Sequence, residues 1–556
     1  MKFFTIIFLA LLPCWSVSAQ SVLKGRVLDE NQQPLSGANV RSADNLLATA
    51  TDTNGEFQLT NVAAGSYELT ISFVGFETQS LKVTLPTNEE LTIILVESTF
   101  LSDEVIVSAT RASEKMPVTY TDINKETLEE NNMGKDMPYL LELTPSVVTT
   151  SDAGSGVGYT GVRIRGSDAT RINVTLNGIP YNDPESQQVY WVNLPDFASS
   201  VESIQVQRGV GTSTNGPGAF GASINIQTSG LTEKPYATLD NAFGSFNTRK
   251  HTLTAGTGLI NGAFTIDGRL SKIVSDGYID RATSDLSSYF ISGGYYEKRN
   301  MLKLNIFSGH EITYQAWYGT PESSVNDDEQ GMLYYINRNG LNQAVADILL
   351  NSGRTYNYYT YDNQVDDYQQ NHFQLIYATD FSQYVTWNTA LHYTHGEGYY
   401  EQYEADQDLA DYGYQGGVTD LIRRRWLSND YYGLTFSLDY VPSSKMSFIL
   451  GGAWNTYDGD HFGEIIWAQN AGNSQIRDQY YNNNGTKYDF TTYGKLNLMV
   501  AKHIRLYADL QYRHVDYTLA GIDADRLPLA ETHTFDFFNP KLGLTYNLSQ
   551  SANIYA

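Results

Sequence analysis

Several side-chain groups in this chain have the types that chemistry needs, and their spacing decides which chemistry survives. His310-Glu311 opens like a zinc-protease helix, but Tyr314 stands where the second histidine of the metal pair must be. Gly216, Gly218 and Gly221 have the spacing of a phosphate-cradling loop. Pro217 interrupts them, however, and Ser223-Ile224-Asn225-Ile226-Gln227 alternates like a strand where a dinucleotide site needs a helix N-terminus. Asp458 and Asp460, and Asp362, Asp366 and Asp367, offer oxygen ligands of the kind calcium takes, though such clusters are more often solvated turns. Arg423-Arg424-Arg425 suits either an anionic ligand or a solvated rim. No nucleophile–base constellation and no cofactor motif is complete, so an enzyme is not expected and no cofactor is assigned. What remains is aromatic. Trp317, Tyr318, Tyr358, Tyr359, Tyr399 and Tyr400 offer large contact area, low rotamer entropy and polar tips, and are candidates to grip a rigid, partly apolar ligand.

The elements that must carry these groups are set by composition. The chain has 556 residues, 36 Lys+Arg against 62 Asp+Glu, and 41 tyrosines. Its acidity argues against nucleic acid, whose phosphates need a basic stripe. The single cysteine, Cys14, excludes a disulfide scaffold and a cysteine-ligated metal. No apolar run is long enough for a membrane-spanning helix. Lys2, the apolar run Phe3–Leu12 and Val17-Ser18-Ala19 form an export signal over residues 1–19.

Residues 20–98 read as a small β-sandwich of about seven strands, with Asp52-Thr53-Asn54-Gly55 expected to turn a hairpin. Gly25-Arg26-Val27, Pro34 to Val40, Thr51 to Phe57, Gly65-Ser66-Tyr67 and Val74-Gly75-Phe76 resemble the carboxypeptidase-regulatory-like domain, which implies no peptidase activity. Within residues 103–111, Asp103 to Arg111, a β-prone heptad flanked by polar residues is suited to adding as a strand to a partner sheet. Residues 112–230 are glycine-rich and mixed, with short helices expected over Asp122–Asn131 and Met137–Leu143.

In that zone Arg163-Ile164-Arg165-Gly166, Leu176-Asn177-Gly178-Ile179-Pro180, Val201-Glu202-Ser203-Ile204-Gln205-Val206-Gln207-Arg208-Gly209 and Gly221-Ala222-Ser223-Ile224-Asn225-Ile226 occur in order. They resemble the plug domain of TonB-dependent outer-membrane receptors. The resemblance implies a TonB box at Glu104, Val105, Ile106, Val107, Ser108, Ala109 and Thr110. It also implies a periplasmic TonB partner with its inner-membrane energising complex, and the outer membrane of a Gram-negative bacterium. Arg163, Arg165 and Arg208 are candidates for ion pairs from plug to barrel. The stretch Thr214 to Ser223 departs from the run of the oligosaccharide-importing branch, which favours metal chelates or vitamins.

Residues 231–556 alternate. Tyr432, Leu434, Phe436, Leu438 and Tyr440 interleave with Gly433, Thr435, Ser437 and Asp439, the pattern of a strand between lipid and water. Tyr432 and Tyr440 sit where interface girdles are placed. Short connections, as at Pro442-Ser443-Ser444, alternate with long ones near 271–285, 311–366, 397–424, 458–483 and 518–533. The fold expected is therefore all-β dominated: sandwich, α/β plug and antiparallel transmembrane barrel. Roughly twelve strands are countable, against about 22 in plugged transporters, which implies a C-terminally truncated barrel. The expected function is import of a scarce ligand, first an iron chelate (siderophore or haem). Cobalamin is the second choice, and a non-transporting surface receptor or adhesin the rival. Outer-membrane lipid is the other expected partner.

Overall fold

A computed structural model describes residues 21–42, 47–73, 76, 78–85, 90–96, 107–113, 116–213, 216, 220–443, 445–548 and 552–556. The export signal lies outside the described residues, as do Glu104, Val105 and Ile106.

The N-terminal unit packs a three-stranded sheet against a four-stranded one. Ser21–Leu28 pairs antiparallel with Glu56–Val62 and parallel with Leu91–Ile94. Asn39–Ser42 lies between Ala48–Ala50 and Gly65–Ser72, and Gln79–Leu85 closes the edge. Leu23, Val27, Val40, Leu59, Leu69 and Ile71 alternate inward to form its core. The Asp52–Gly55 turn is present, closed by Gly55 N–H on the Asp52 carbonyl at 3.0 Å, with Gly55 at φ +73°. It does not make the expected hairpin. The strands it joins belong to different sheets, because Ala48–Ala50 pairs with Asn39–Ser42 and Glu56–Val62 with Ser21–Leu28.

The plug is built on a five-stranded mixed sheet. Its order is Ile179–Pro180, Ile172–Leu176, Ala222–Thr228, Val201–Arg208 and Thr119–Asn124. Every residue of Ala222–Thr228 is buried, which is why this central strand carries side chains suited to both faces. Asn177 (φ +56°) and Gly178 (φ +77°) form the two-residue turn between Leu176 and Ile179, the left-handed geometry that Asn-Gly supplies at least cost. The first helix runs Lys125–Asn131, capped by Asn124, whose carboxamide oxygen accepts the Thr127 N–H. It begins later than expected because Thr119–Asn124 extends the sheet.

The barrel sheet has thirteen antiparallel strands in sequence order, from Tyr236–Phe243 to Asn553–Tyr555. Turns between strands fall at 297–299, 383–384 and 502–503, as expected. The opposite ends differ from expectation. Val385–Asp408, Val418–Ser443, Met446–Ala468 and Asp478–Ala501 are 23 to 26 residues long. A crossing needs only about ten. Most of what reads as long loops over 397–424 and 458–483 is therefore paired strand standing beyond the membrane. Only 315–364 is a long excursion, with helices at Glu322–Val325, Glu329–Asn339 and Gln343–Ser352.

Candidate functional site

The plug and barrel meet at a loop that hydrophobic patterning does not flag. After Ile179–Pro180, the chain turns through Asn182-Asp183-Pro184-Glu185-Ser186-Gln187-Gln188. Asp183 caps its own turn, its carboxylate accepting the Ser186 N–H at 2.6 Å and the Ser186 hydroxyl at 2.7 Å. Asn182 ties the loop's base to the sheet by accepting Val174 N–H at 2.7 Å and donating to the Ile172 carbonyl at 2.8 Å. Gln187 is held at φ +63°. These restraints aim Glu185 outward into the barrel wall. There its carboxylate accepts Tyr457 hydroxyl at 2.8 Å, His461 Nε2 at 2.7 Å and Tyr517 hydroxyl at 2.9 Å. Burial raises the pKa of Glu185, but the His461 bond and charge and the two tyrosine bonds more than offset it and hold the group below its usual value. Lys487 completes the grip on the Pro184 carbonyl at 2.5 Å.

Above this loop lies a cavity of about 570 Å³. Plug residues Asp152, Tyr159, Asp183, Glu185, Tyr190 and Asn193 form its floor. Its walls include Glu311, Asp366, Tyr368, Trp426, His461 and Tyr481. Of the aromatics singled out in the sequence, Trp317, Tyr399 and Tyr400 line it. Trp317 stands edge-on to both Tyr159 and Tyr400, with ring centroids 5.6 and 5.4 Å apart. Tyr318, Tyr358 and Tyr359 do not join the cavity wall. They stack on one another at 4.8 to 5.6 Å in the 315–364 excursion. Asp366 and Asp367 point to opposite sides, as strand neighbours must: Asp366 accepts the Tyr159 hydroxyl inside, and Asp367 meets His310 at 2.8 Å outside. Trp426, Tyr190 and the plug carboxylates were missed by sequence reasoning. Their nearest signals are the adjoining Arg423–Arg425 run and the polar Asn182–Gln188 insertion after Pro180.

The arginine run itself is consumed by the wall. Arg424 pairs with Glu401 at 2.8 Å and lies 4.0 Å over the Tyr399 ring. Arg423 pairs with Glu404 at 2.6 Å. Arg425 alone enters the cavity, donating to Tyr400 hydroxyl at 3.3 Å. Asp458 and Asp460 lie on one strand, and both accept from the Asn484 amide, at 2.6 and 2.8 Å. This replaces the calcium-loop reading, since strand alternation puts Gly459 between them rather than a turn. Among the described residues no three acidic, histidine or cysteine side chains converge on a metal-sized site.

Ion pairs between plug and barrel run opposite to expectation. Arg163 and Arg165 are exposed, and Arg208 reaches only the Pro145 carbonyl within the plug, at 3.5 Å. The charges that lock the two parts are plug acceptors on barrel cations. Asp196 is buried between Lys250, at 3.0 Å, and Arg269, at 3.6 Å. It also accepts Thr252 and Ser271 hydroxyls at 2.5 and 2.7 Å. Burial opposes its ionisation, yet Arg269 and Lys250 together bring its pKa to about 2. Its backbone is left-handed, φ +51°, strain that the cluster supports.

The segment expected to be an edge-adding strand is curled instead. Val107 accepts the Thr110 and Arg111 N–H groups, each at 3.1 Å, so residues 107–111 form a turn. Val107 is buried among Ile179, Tyr296, Met301, Ile376 and Ala390. Ser108 donates to Asp439. Lys495 Nζ donates to the Ala109 carbonyl at 2.6 Å, and Gln207 to the Thr110 carbonyl at 3.0 Å. Arg111 spans the plug sheet, donating to Ser203 and to the Asn225 carbonyl at 3.0 to 3.1 Å.

Comparison with known proteins agrees with this geometry. Residues 23–107 match the CarboxypepD_reg-like domain, and residues 112–223 match the TonB-dependent Receptor Plug Domain. The TonB-dependent receptor SusC of Bacteroides thetaiotaomicron is 29% identical over 152 residues, 27% of this chain. The match spans only 15% of the length of that relative. The open form of the ferric-catecholate import receptor Fiu of E. coli K12 superposes with a TM-score of 0.60, over 82% of this chain and 72% of its own, at 15% identity. The ferripyoverdine receptor of Pseudomonas aeruginosa does so at 0.57, over 86% and 64%, at 13% identity. These relatives are receptors and transporters, not enzymes. The chain thus carries a regulatory-like domain and the plug domain of TonB-dependent receptors, followed by an antiparallel sheet with the barrel fold of the outer-membrane receptors it resembles.

Proposed function

We propose that the chain imports a scarce ligand across the outer membrane, with energy delivered through a periplasmic TonB partner to Glu104–Thr110. The observation that carries this reading is that one plug element serves both ends of the route. Ile179, on the short strand that leads into the Asn182–Gln188 loop, shares a buried cluster with Val107 of the box segment. Glu185, six residues later, lines the cavity. A ligand that moves the loop therefore acts on a strand that shares this cluster with the box.

The box segment must uncurl before it can add to a partner sheet. Its turn hydrogen bonds are worth about 1 kcal/mol each, so that release suits a transient contact. An iron chelate, siderophore or haem, is the first ligand class, supported by the aromatic cavity and by the ferric-chelate receptors the fold resembles. Cobalamin is the second. Deleting Glu104–Thr110 tests the reading: uptake of radiolabelled ferric chelate or cobalamin by cells should vanish while surface binding persists. Persistence of uptake would exclude it, and adhesion unaffected by the deletion would favour the non-transporting receptor.

A further inference from the structure

The cavity has an imbalance that the aromatic reading leaves unused. Its lining carries the carboxylates of Asp152, Asp183, Glu185, Glu311 and Asp366, against two basic side chains, Arg425 and His461. His461 is committed to Glu185. Of the wall's hydroxyls, that of Tyr159 is committed to Asp366, and Glu185 already holds Tyr457 and Tyr517, which lie outside the lining. Each carboxylate has room for further donors, since an ionised carboxylate offers about four lone-pair sites and no proton.

A second observation is independent of charge. Asn193, 6% exposed, lines the cavity with a carboxamide oxygen that accepts no hydrogen bond among the described residues. A buried acceptor without a donor is costly, and a donor on the occupant removes the cost. Arg425, whose buried Nε has no acceptor among the described residues, lines the same cavity.

We propose that the cavity takes a donor-rich occupant, uncharged or positively charged at its buried end. Such an occupant bears hydroxyl, amide N–H or ammonium groups, with an apolar face for Trp317, Tyr400 and Trp426. The acceptors on the floor and walls receive its donors, and a single acceptor on the occupant meets Arg425. An oxyanion-rich occupant, such as a triscatecholate chelate carrying three negative charges, presents acceptors to acceptors and charge to like charge. It is excluded by the same lining. For the metal-chelate class this selects trihydroxamate chemistry over triscatecholate chemistry. The inference rests on the import reading only for the route; occupancy itself needs no energy source.

The test is calorimetric titration of the whole receptor in detergent with three gallium(III) complexes. One is a linear trihydroxamate with a free ammonium, one a neutral cyclic trihydroxamate and one a triscatecholate. Affinity should fall in that order, with the cation at least about tenfold tighter than the trianion. Glu311→Gln should narrow the gap several-fold. Asp152→Asn, whose carboxylate makes no side-chain bond within the plug, should narrow it in the same direction without risk to folding. Tighter binding of the triscatecholate, an unchanged gap in both variants, or no binding of either trihydroxamate at about 1 mM would overturn the proposal. Loss of uptake with the affinity order intact would instead overturn import and leave this inference standing.

Discussion

Lys495 Nζ is hydrogen-bonded at once to the Ala109 carbonyl, at 2.6 Å, and to the Thr212 hydroxyl, at 3.1 Å. One buried barrel lysine thus holds the box segment and a separate plug loop. Asp509, close by, accepts the Ser213 N–H at 2.7 Å and the Tyr507 hydroxyl at 2.7 Å, so the plug loop is gripped on both sides.

Lys495→Met should therefore release residues 107–110 without ligand. Hydrogen bonds to charged donors are worth about 1.5–3 kcal/mol, so the open population should rise by tenfold or more. The sequence's lone cysteine, Cys14, falls within residues 1–19, read above as an export signal, so Val107→Cys in a Cys14→Ser background can report opening by its rate of maleimide labelling in outer-membrane vesicles. Lys303→Met removes a bond to the Ser229 carbonyl, at 2.6 Å, and should leave that rate unchanged.

Asp196→Asn strips the counter-charge from buried Arg269 and one of two from buried Lys250, which keeps Asp240 at 3.1 Å. Breaking one side of a buried pair costs roughly 3–5 kcal/mol. The measurement is the thermal midpoint for loss of plug protection against trypsin, and Asp196→Asn should lower it, while the exposed Arg163→Gln should not.

The same cluster sets an acid limit. The folded-state pKa of Asp196 is about 2, against about 3.9 unfolded. A depressed carboxylate contributes stability that is complete above the unfolded value and lost as pH falls through the folded one. Plug docking should thus be constant above about pH 5 and weaken between about pH 4 and pH 2, by up to about 2.5 kcal/mol. Denaturation midpoints across that range should show the slope in the native chain and a flatter profile in Asp196→Asn.

Gly309 faces the plug so closely that a Cβ there would collide with the Asn193 carbonyl oxygen and come within 2.7 Å of Pro195 Cδ. Neither atom is the end of a flexible side chain. Gly309→Val should cost at least about 1–3 kcal/mol of plug seating and shift Asn193, weakening ligand binding more than barrel stability. Heat-modifiable migration of the barrel should persist while affinity falls.

Glu185→Gln keeps the shape of the loop tip and removes its charge. The Tyr457 and Tyr517 bonds survive in weakened form, and the His461 pair is lost. Hydrogen exchange of the Ser186–Gln188 amides should accelerate about tenfold, equivalent to roughly 1.4 kcal/mol. Unchanged exchange would mean that Asp183 alone orders the loop.

The sequence exposed those parts governed by strict periodicity or by turn chemistry. Leu434 to Tyr440 alternates because lipid and lumen demand opposite surfaces, and Asn177-Gly178 turns because few other pairs accept two left-handed residues. Trp317, Tyr399 and Tyr400, singled out by residue type, line the cavity. Three failures share a cause. The Asn54-Gly55 turn, the strand lengths beyond residue 397 and the direction of the plug–barrel ion pairs all depend on which distant segment is the neighbour. Local pattern carries no such information. Arg163 and Arg208 look like pairing cations in isolation; only the assembled plug shows that Asp196 and Glu185 face the wall instead. Glu185 was illegible for the same reason, since its three partners lie 272 to 332 residues away.

The place of Thr119–Asn124 in the plug sheet has a mechanical consequence. This strand follows the box segment after a few residues, and it is the sheet's outermost member, paired with Val201–Arg208 on one side only. Tension applied to the chain ahead of Val107 is borne in series, first by the Val107–Arg111 turn, then by the Arg111 anchor, and then by this edge strand. Edge position means that it can be stripped by breaking a single ladder, while Val201–Arg208 keeps its pairing with Ala222–Thr228 and the other three strands keep every partner they have. The plug is thus graded across its sheet, with a detachable margin next to the point of traction and its fully buried central strand, Ala222–Thr228, two ladders further in.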